Sequence, residues 1–150
     1  MKRLTIATVL TLFLLPGLHA QTSPSTPTSP VTPIAGTIWK GTLYAPDPIE
    51  CLLRFKKDTL QMIYAGESSI TSWDGRYVTV HDSAVLEAMT YSQHGDTLQL
   101  QKVDGGSPCD NKQVGIFLIE MPNGKLHLAV IKDPCEARPY AFTEQLTRVR

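Results

Sequence analysis

The sequence predicts an all-β domain: a small up-and-down antiparallel β-barrel of about eight strands, with one short helical turn near the C-terminus. Short runs rich in β-branched and aromatic residues recur between turn residues, whereas no window carries a sustained 3.6-residue apolar period. Most of these runs follow one another through short connections, as consecutive hairpins do. Closing such a meander into a barrel removes its exposed edges, and eight or nine strands fit the 117 residues from 34 to 150.

The chain begins with the three-part pattern of a secretory signal peptide. Met1-Lys2-Arg3 is positively charged, residues 4–15 carry no charge, Pro16-Gly17 interrupts the apolar run, and Ala20 is a small residue at the expected cleavage position. Twelve residues span about 18 Å as a helix, less than the ~30 Å hydrocarbon core, so a permanent anchor is not expected. Gln21, and not a cysteine, follows, which disfavours a lipoprotein. We expect a periplasmic or secreted protein with no stable membrane insertion after cleavage.

Residues 21–33 form a linker rich in Pro, Ser and Thr. Proline recurs at every third position, at Pro24, Pro27, Pro30 and Pro33. Polyproline II has three residues per turn, so these rings line one edge of an extended rod. The segment is either a ligand for a proline-recognising groove or a semi-rigid spacer, and the spacer is favoured. Its Ser/Thr content leaves O-glycosylation open.

The third segment, residues 34–150, contains the predicted barrel. Its long connection includes Asp104-Gly105-Gly106-Ser107-Pro108, and the other connections are mostly short. The candidate strands are Thr37–Ala45, Ile49–Lys56, Leu60–Tyr64, Arg76–Val80, Val85–Tyr91, Thr97–Val103, Gln113–Glu120, Leu126–Lys132 and Leu146–Arg150.

The hairpin from Gln113 to Lys132 is the best specified. Pro122-Asn123-Gly124 suits a three-residue loop, with Pro at the first type I position and Gly at a left-handed one. This loop pairs Met121 with Lys125. The predicted core face then contains Val114, Ile116, Leu118, Leu126, Leu128 and Val130.

A short helix is predicted to follow this hairpin. Asp133 is the candidate cap, Pro134 suits the first helical position, and Glu136 completes a capping box. Pro139 is expected to end the helix after about one turn. The chain then returns as its last strand.

The three cysteines reach an oxidising compartment if the signal peptide acts, so a disulfide is expected. In the hairpin register above, Cys109 lies close to Cys135 on the same face. Cys51 alternates with core-type residues instead. We therefore predict a Cys109–Cys135 disulfide and a buried free thiol at Cys51. No Cys-x-x-Cys redox motif is present.

Short motifs in residues 34–150 resemble bacterial lipocalin-like (calycin-type) domains. They are Gly36-Thr37-Ile38-Trp39 on the first strand, Asp133-Pro134-Cys135-Glu136-Ala137-Arg138, and Leu146-Thr147-Arg148-Val149. In lipocalins a tryptophan at the barrel floor packs under an arginine from the final strand, and Trp39 and Arg148 are the matching positions. The resemblance implies an eight-stranded barrel that holds a small hydrophobic molecule. A barrel of this size is also small enough to be filled by its own side chains.

Charge and histidine placement argue against several function classes. The chain has 14 basic and 14 acidic residues, so it lacks the basic excess typical of nucleic-acid binding. His81, His94 and His127 are not spaced as a metal site. His81-Asp82-Ser83 has triad residue types, but neighbours on one strand point in different directions. The sequence therefore predicts no catalytic residue, metal, cofactor or nucleic-acid partner.

The sequence favours two functions over a third, enzymatic one. The first is a carrier of a small, mainly apolar molecule in the lumen. The second is a periplasmic interaction or inhibitor protein with a filled barrel, acting through its loops on a partner that the sequence does not identify. An open lumen of ~300 Å³ or more would favour the carrier. Candidate lumen residues have an apolar body and a polar group; they are Tyr64, Trp73, Tyr77, Tyr91 and His127.

Overall fold

The computed structural model describes residues 33–66 and 68–150. The predicted signal peptide and nearly all of the predicted linker lie outside these residues. Within them, no helix is both long enough and apolar enough to cross a membrane.

The described chain forms ten strands and one short α-helix. The helix α1 spans Ala137–Ala141, and a 3-10 turn covers Pro122–Gly124. The strands are β1 (Ile38–Tyr44), β2 (Pro48–Phe55), β3 (Thr59–Tyr64), β4 (Ser68–Thr71), β5 (Tyr77–Val80), β6 (Val85–His94), β7 (Thr97–Gly105), β8 (Val114–Glu120), β9 (His127–Lys132) and β10 (Thr147–Arg148).

Eight of these strands form one curled antiparallel sheet, a half-barrel, in the order β10-β1-β2-β3-β6-β7-β8-β9. The two ends of the sheet meet where Leu126 and Leu146 exchange backbone hydrogen bonds of 2.8 Å in both directions. The predicted fold class is therefore confirmed. The strand predicted at Arg76–Val80 does not join the meander, because β5 pairs with β4 in a separate two-stranded sheet. Consequently β3 pairs with β6 directly.

The core lies inside the curl and follows the two-residue period of the strands. On β2, Ile49, Cys51, Leu53 and Phe55 are buried, whereas Glu50 between them is exposed. Side chains of alternate strand residues point to opposite faces, so this pattern turns one face of β2 inward. Cys51 is fully buried and free, as predicted.

The register predicted for the β8–β9 hairpin is wrong by one residue. Glu120 pairs with His127 and Phe117 with Val130, so Met121 does not pair with Lys125. Because alternate strand residues point to opposite faces, this slip turns the other face of β8 inward relative to β9. On β8 the buried residues are Gly115, Phe117 and Ile119, so the predicted core positions Val114, Ile116 and Leu118 are wrong. On the other arm of the hairpin Leu126 and Leu128 are buried, as predicted, whereas Val130 is exposed.

The helix near the C-terminus is present but starts later than predicted. It begins at Ala137, after Glu136, and contains Pro139. Asp133 does not cap it, because its Oδ1 accepts a hydrogen bond from the amide of Cys135 at 2.9 Å. Pro139 is tolerated because a residue in the first turn of a helix needs no intrahelical N–H bond.

Candidate functional site

A cavity of about 440 Å³ lies at one end of the half-barrel, between the large sheet and the β4–β5 hairpin. The wall includes the start of β6, the end of β7 with the loop after it, and α1. In an up-and-down sheet the end of one strand lies beside the start of the next, which brings these segments to the same end. Trp39 and the last strand lie at the opposite end.

Much of the cavity wall is apolar. Met62 of β3 and Met89 of β6 line it from the sheet, and Phe142 lines it from the end of α1. Ile70 and Trp73 line it from the β4–β5 hairpin and its connection. Trp73 also packs on the cluster around the Cys109–Cys135 disulfide. Such a surface suits the apolar part of a small molecule.

Glu87 introduces a carboxylate into this wall. It occupies an inward position of β6, paired with Met62 on one side and Gly105 on the other, and it is only 5% exposed. Its Oε1 accepts a hydrogen bond from the hydroxyl of Ser107 at 2.6 Å, and its Oε2 accepts one from the amide of Ser107 at 3.2 Å. These bonds compensate in part for removing the carboxylate from water.

Gly105 makes room for the Glu87 carboxylate. A Cβ at this position would overlap Glu87 Oε2 and would lie 2.6 Å from the carbonyl oxygen of Leu86. Its φ of +130° is also one that other residues rarely adopt. The register between β6 and β7 shifts at Ala88/Met89, directly beside this pair. A glycine and a bulge thus shape the polar corner of the cavity.

Arg138 of α1 is the second charged residue in the wall, and it is 4% exposed. Its Nε lies 3.3 Å from Oδ2 of the fully buried Asp133 side chain. Its Nη1 donates to the carbonyl of Leu100, and its Nη2 donates to the carbonyl of Gln113 at 3.1 Å. Arg138 therefore ties α1 to the β7 and β8 side of the sheet.

Burial dominates the titration of this ion pair. Burial raises the pKa of Asp133, and the amide of Cys135 and the charge of Arg138 oppose this shift. Burial likewise lowers the pKa of Arg138, against the attraction of Asp133 and Glu87. Burial therefore disfavours the charged form of both side chains, and their mutual attraction opposes that effect in each.

Three of the predicted lumen residues lie in or near this region. Trp73 lines the cavity. Tyr64 is buried in the main core at the end of β3, beyond the cavity wall. Tyr77 is 84% exposed on β5, whose next residue, Val78, does line the cavity.

The other two predicted lumen residues are engaged elsewhere. The hydroxyl of Tyr91 donates to the carbonyl of Lys56, and its ring meets Phe55 edge-on at 5.4 Å between centroids. The Nδ1 of His127 lies 2.8 Å from Oε2 of Glu120, its cross-strand partner. Within the described residues, Trp73 is thus the one predicted lumen side chain that the cavity includes.

The predicted structural pairs are both present. Cys109 and Cys135 form a disulfide. Their pairing is right although the hairpin register used to derive it is off by one residue. Trp39 and Arg148 are register partners on β1 and β10, and the guanidinium carbon lies 5.8 Å from the indole centroid.

Glu87 and Arg138 are the site residues that sequence reasoning missed. Glu87 carried a signal: it shares its alternation phase with Met89 in a strand that was predicted, which places a carboxylate on the inward face. Arg138 carried none, because a single arginine within a short helix gives no indication of its burial.

Comparison with protein-family models, with curated proteins and with solved structures finds no match for this chain. The function therefore has to be inferred from the cavity itself. Its geometry provides an apolar wall, one buried carboxylate with a serine partner, and one cation already paired with an acid. This combination is suited to holding a small molecule in a fixed orientation.

Proposed function

We propose that the protein binds a small, mainly apolar molecule in the cavity and acts as an exported lipocalin-like carrier. The observation that carries the proposal is the cavity volume of about 440 Å³ behind a largely apolar wall. Small-molecule sites typically have volumes of ~300–1,000 Å³ and few polar groups. The alternative, a protein acting through its loops, assumed a filled interior, so the cavity favours the carrier.

The likeness to lipocalin-like domains gains support from the floor of the sheet. A tryptophan on the first strand and an arginine on the last are register partners here, as the resemblance implied. The cavity lies at the opposite end of the strands, where a barrel that is closed at its floor has its mouth. This arrangement fits a ligand that enters between the β4–β5 hairpin and α1.

Native mass spectrometry of the protein purified from its own host tests the proposal. We expect a retained small molecule that is released on unfolding. Ala84 lines the cavity, so Ala84→Phe should reduce the retained mass by filling the space. Ala129 lies on β9 outside the lining, and Ala129→Phe is the matched control that should retain the ligand. A wild-type protein that retains nothing and binds no apolar probe would refute the carrier.

The proposal places the protein in the periplasm or outside the cell. The Cys109–Cys135 disulfide supports this, because such bonds persist in oxidising compartments. The charged, apolar and small-residue pattern of the first 20 residues supports cleavage after Ala20. The intact mass of the secreted protein should then correspond to a chain starting at Gln21. Recovery of the full-length chain in the membrane fraction would contradict cleavage.

A further inference from the structure

We infer that the cavity selects a ligand whose polar head donates a hydrogen bond to Glu87, such as a hydroxyl or an amine, and discriminates against an anionic head. This inference rests on the proposed carrier function and specifies its ligand. It follows from how the two buried charged residues of the wall are partnered.

Glu87 has acceptor capacity left. A carboxylate offers about four lone-pair positions on its two oxygens. Ser107 supplies one donor to each oxygen, at 2.6 Å to Oε1 and 3.2 Å to Oε2. In the described part of the chain, no basic side-chain nitrogen lies within 4.0 Å of these oxygens. A ligand donor can therefore add a hydrogen bond without displacing an ion pair.

Arg138, unlike Glu87, has protein partners for all of its polar side-chain atoms. Its guanidinium is held by the Asp133 carboxylate, 3.3 Å from Nε, and by the backbone carbonyls of Leu100 and Gln113. All three of its nitrogens thus face protein acceptors, and Asp133 supplies the compensating charge. An anionic head would meet a cation that is already paired.

Lys102 is a further cation close to this corner. Its Nζ donates to the carbonyl oxygen of Ser107, on the residue that binds Glu87. It therefore fixes the position of Ser107 while Ser107 binds the carboxylate. The charges of Glu87 and Asp133 are opposed by those of Lys102 and Arg138, so the corner as a whole offers no excess positive charge to an anion.

The position of Glu87 also orients the ligand. Glu87 lies two residues from Met89 on β6, and Met62 is its cross-strand partner on β3. Both methionines line the cavity together with Trp73. A head bound to Glu87 therefore places an alkyl or ring body against this apolar wall. The site is built for an amphipathic molecule and not for a purely polar one.

Isothermal titration calorimetry with four probes of equal chain length tests the inference. The probes are n-decanol, n-decylamine, methyl decanoate and sodium decanoate, added to the purified disulfide-bonded protein. We expect decanol and decylamine to bind at least about tenfold more tightly than decanoate, the effect of one hydrogen bond to a charged group. Methyl decanoate, which has no donor, should bind more weakly than both.

Glu87→Gln assigns the selectivity to this side chain. The amide keeps the size of the carboxylate and still accepts from Ser107, but it removes the negative charge. We expect the preference for decanol and decylamine over decanoate to fall to about threefold or less, the result of losing the charge-assisted part of the bond. Glu144 is exposed and outside the cavity, so Glu144→Gln should leave the preference unchanged.

The outcomes separate this inference from the carrier proposal. If none of the four probes binds, the carrier proposal fails. If decanoate or methyl decanoate binds as tightly as the alcohol and the amine, the carrier stands and the donor-head inference is wrong. An unchanged preference in folded Glu87→Gln also overturns the role of Glu87. The probe series on the unsubstituted protein decides the matter even if Glu87→Gln does not fold.

Discussion

Trp39 and Arg148 pair across the seam between the first and last strands, with the guanidinium carbon 5.8 Å from the centroid of the indole ring. Trp39 is 3% exposed, and its Nε1 donates to the hydroxyl of Thr37 at 2.7 Å. Thr37 in turn donates to the carbonyl of Ile34 at 2.6 Å. The indole is therefore fixed from its polar edge while the exposed arginine covers its face.

This contact predicts energetic coupling between the two strands. Trp39→Ala should lower the free energy of unfolding by ~3–5 kcal/mol, since it leaves a large cavity. Arg148→Ala should cost only ~0.5–1 kcal/mol, the value of an exposed cation–π contact. A double-mutant cycle from urea unfolding should give a non-zero coupling energy. Arg76 pairs with Asp74, away from Trp39, so a Trp39→Ala cycle with Arg76→Ala should be additive. Zero coupling in the first cycle would mean that the arginine does not stabilise the indole.

The fold class could be predicted from the sequence because the alternation of apolar residues and the turn residues are local signals. The β8–β9 register was not, because both faces of this hairpin carry large apolar residues: Ile116 and Leu118 on one, Phe117 and Ile119 on the other. The conformation of the turn determines which of these two faces is buried. Asn123 and Gly124 both adopt positive φ, at 54° and 76°, so the loop differs from the type I turn that Pro122-Asn123-Gly124 suggested.

The residues of the candidate site were harder to predict from the sequence, because contacts between distant parts of the chain create the site. Trp73 lies in a connection, and its place in the cavity depends on the β4–β5 hairpin folding beside the large sheet. Arg138 is buried because Asp133 and the carbonyls of Leu100 and Gln113 converge on it from other parts of the chain. No local sequence pattern predicts that these distant groups come together. The inward position of Glu87 could have been predicted, because it shares the alternation of β6 with Met89.

Gly115 is predicted to be required for packing around Asp133. A Cβ at Gly115 would overlap Oδ2 of Asp133 and would lie 2.8 Å from the ring of Phe117. Gly115→Ala should therefore destabilise the fold by ~1–3 kcal/mol, the usual cost of overpacking a core. Gly106→Ala is the control, since a Cβ there meets nothing within 4 Å; its effect should stay within about 0.5 kcal/mol. Thermal or urea unfolding measures both, and equal stabilities would contradict the buried position of Asp133.

The disulfide should stabilise both the fold and the wall of the cavity. It joins residues separated by 26 positions, and closing such a loop stabilises by roughly 3.5 kcal/mol through the lost entropy of the unfolded chain. The double variant Cys109→Ser/Cys135→Ser should lose about this amount in urea unfolding. Because Trp73 packs on the disulfide cluster, its fluorescence should also shift to the red.

Thiol labelling checks the pairing on which this prediction depends. Unfolded, unreduced protein should take up label at Cys51 alone, and reduced protein should take it up at all three cysteines. Labelling of Cys109 or Cys135 without reduction would show that the bond does not form in the secreted protein.

Cys51 should make the fold lose stability at alkaline pH. Burial raises the pKa of its thiol from 9.0 to about 12. Between these values the unfolded chain releases the thiol proton and the folded chain retains it. The free energy of unfolding should thus be unaffected by Cys51 below pH 9 and should fall above it by about 1.4 kcal/mol per pH unit. Urea unfolding of the wild type and of Cys51→Ala across this range measures the difference.

The Cys51→Ala variant is needed because other groups titrate in the same range. Burial and the charge of Asp58 raise the pKa of Tyr91 as well, so the wild-type profile alone does not isolate the thiol. Alanine also leaves a small cavity, which lowers stability by a similar amount at every pH. The two curves should therefore run parallel below pH 9 and converge above it, as the wild type loses the contribution of its protonated thiol. Curves that stay parallel to pH 11 would show that Cys51 reaches water in the folded protein.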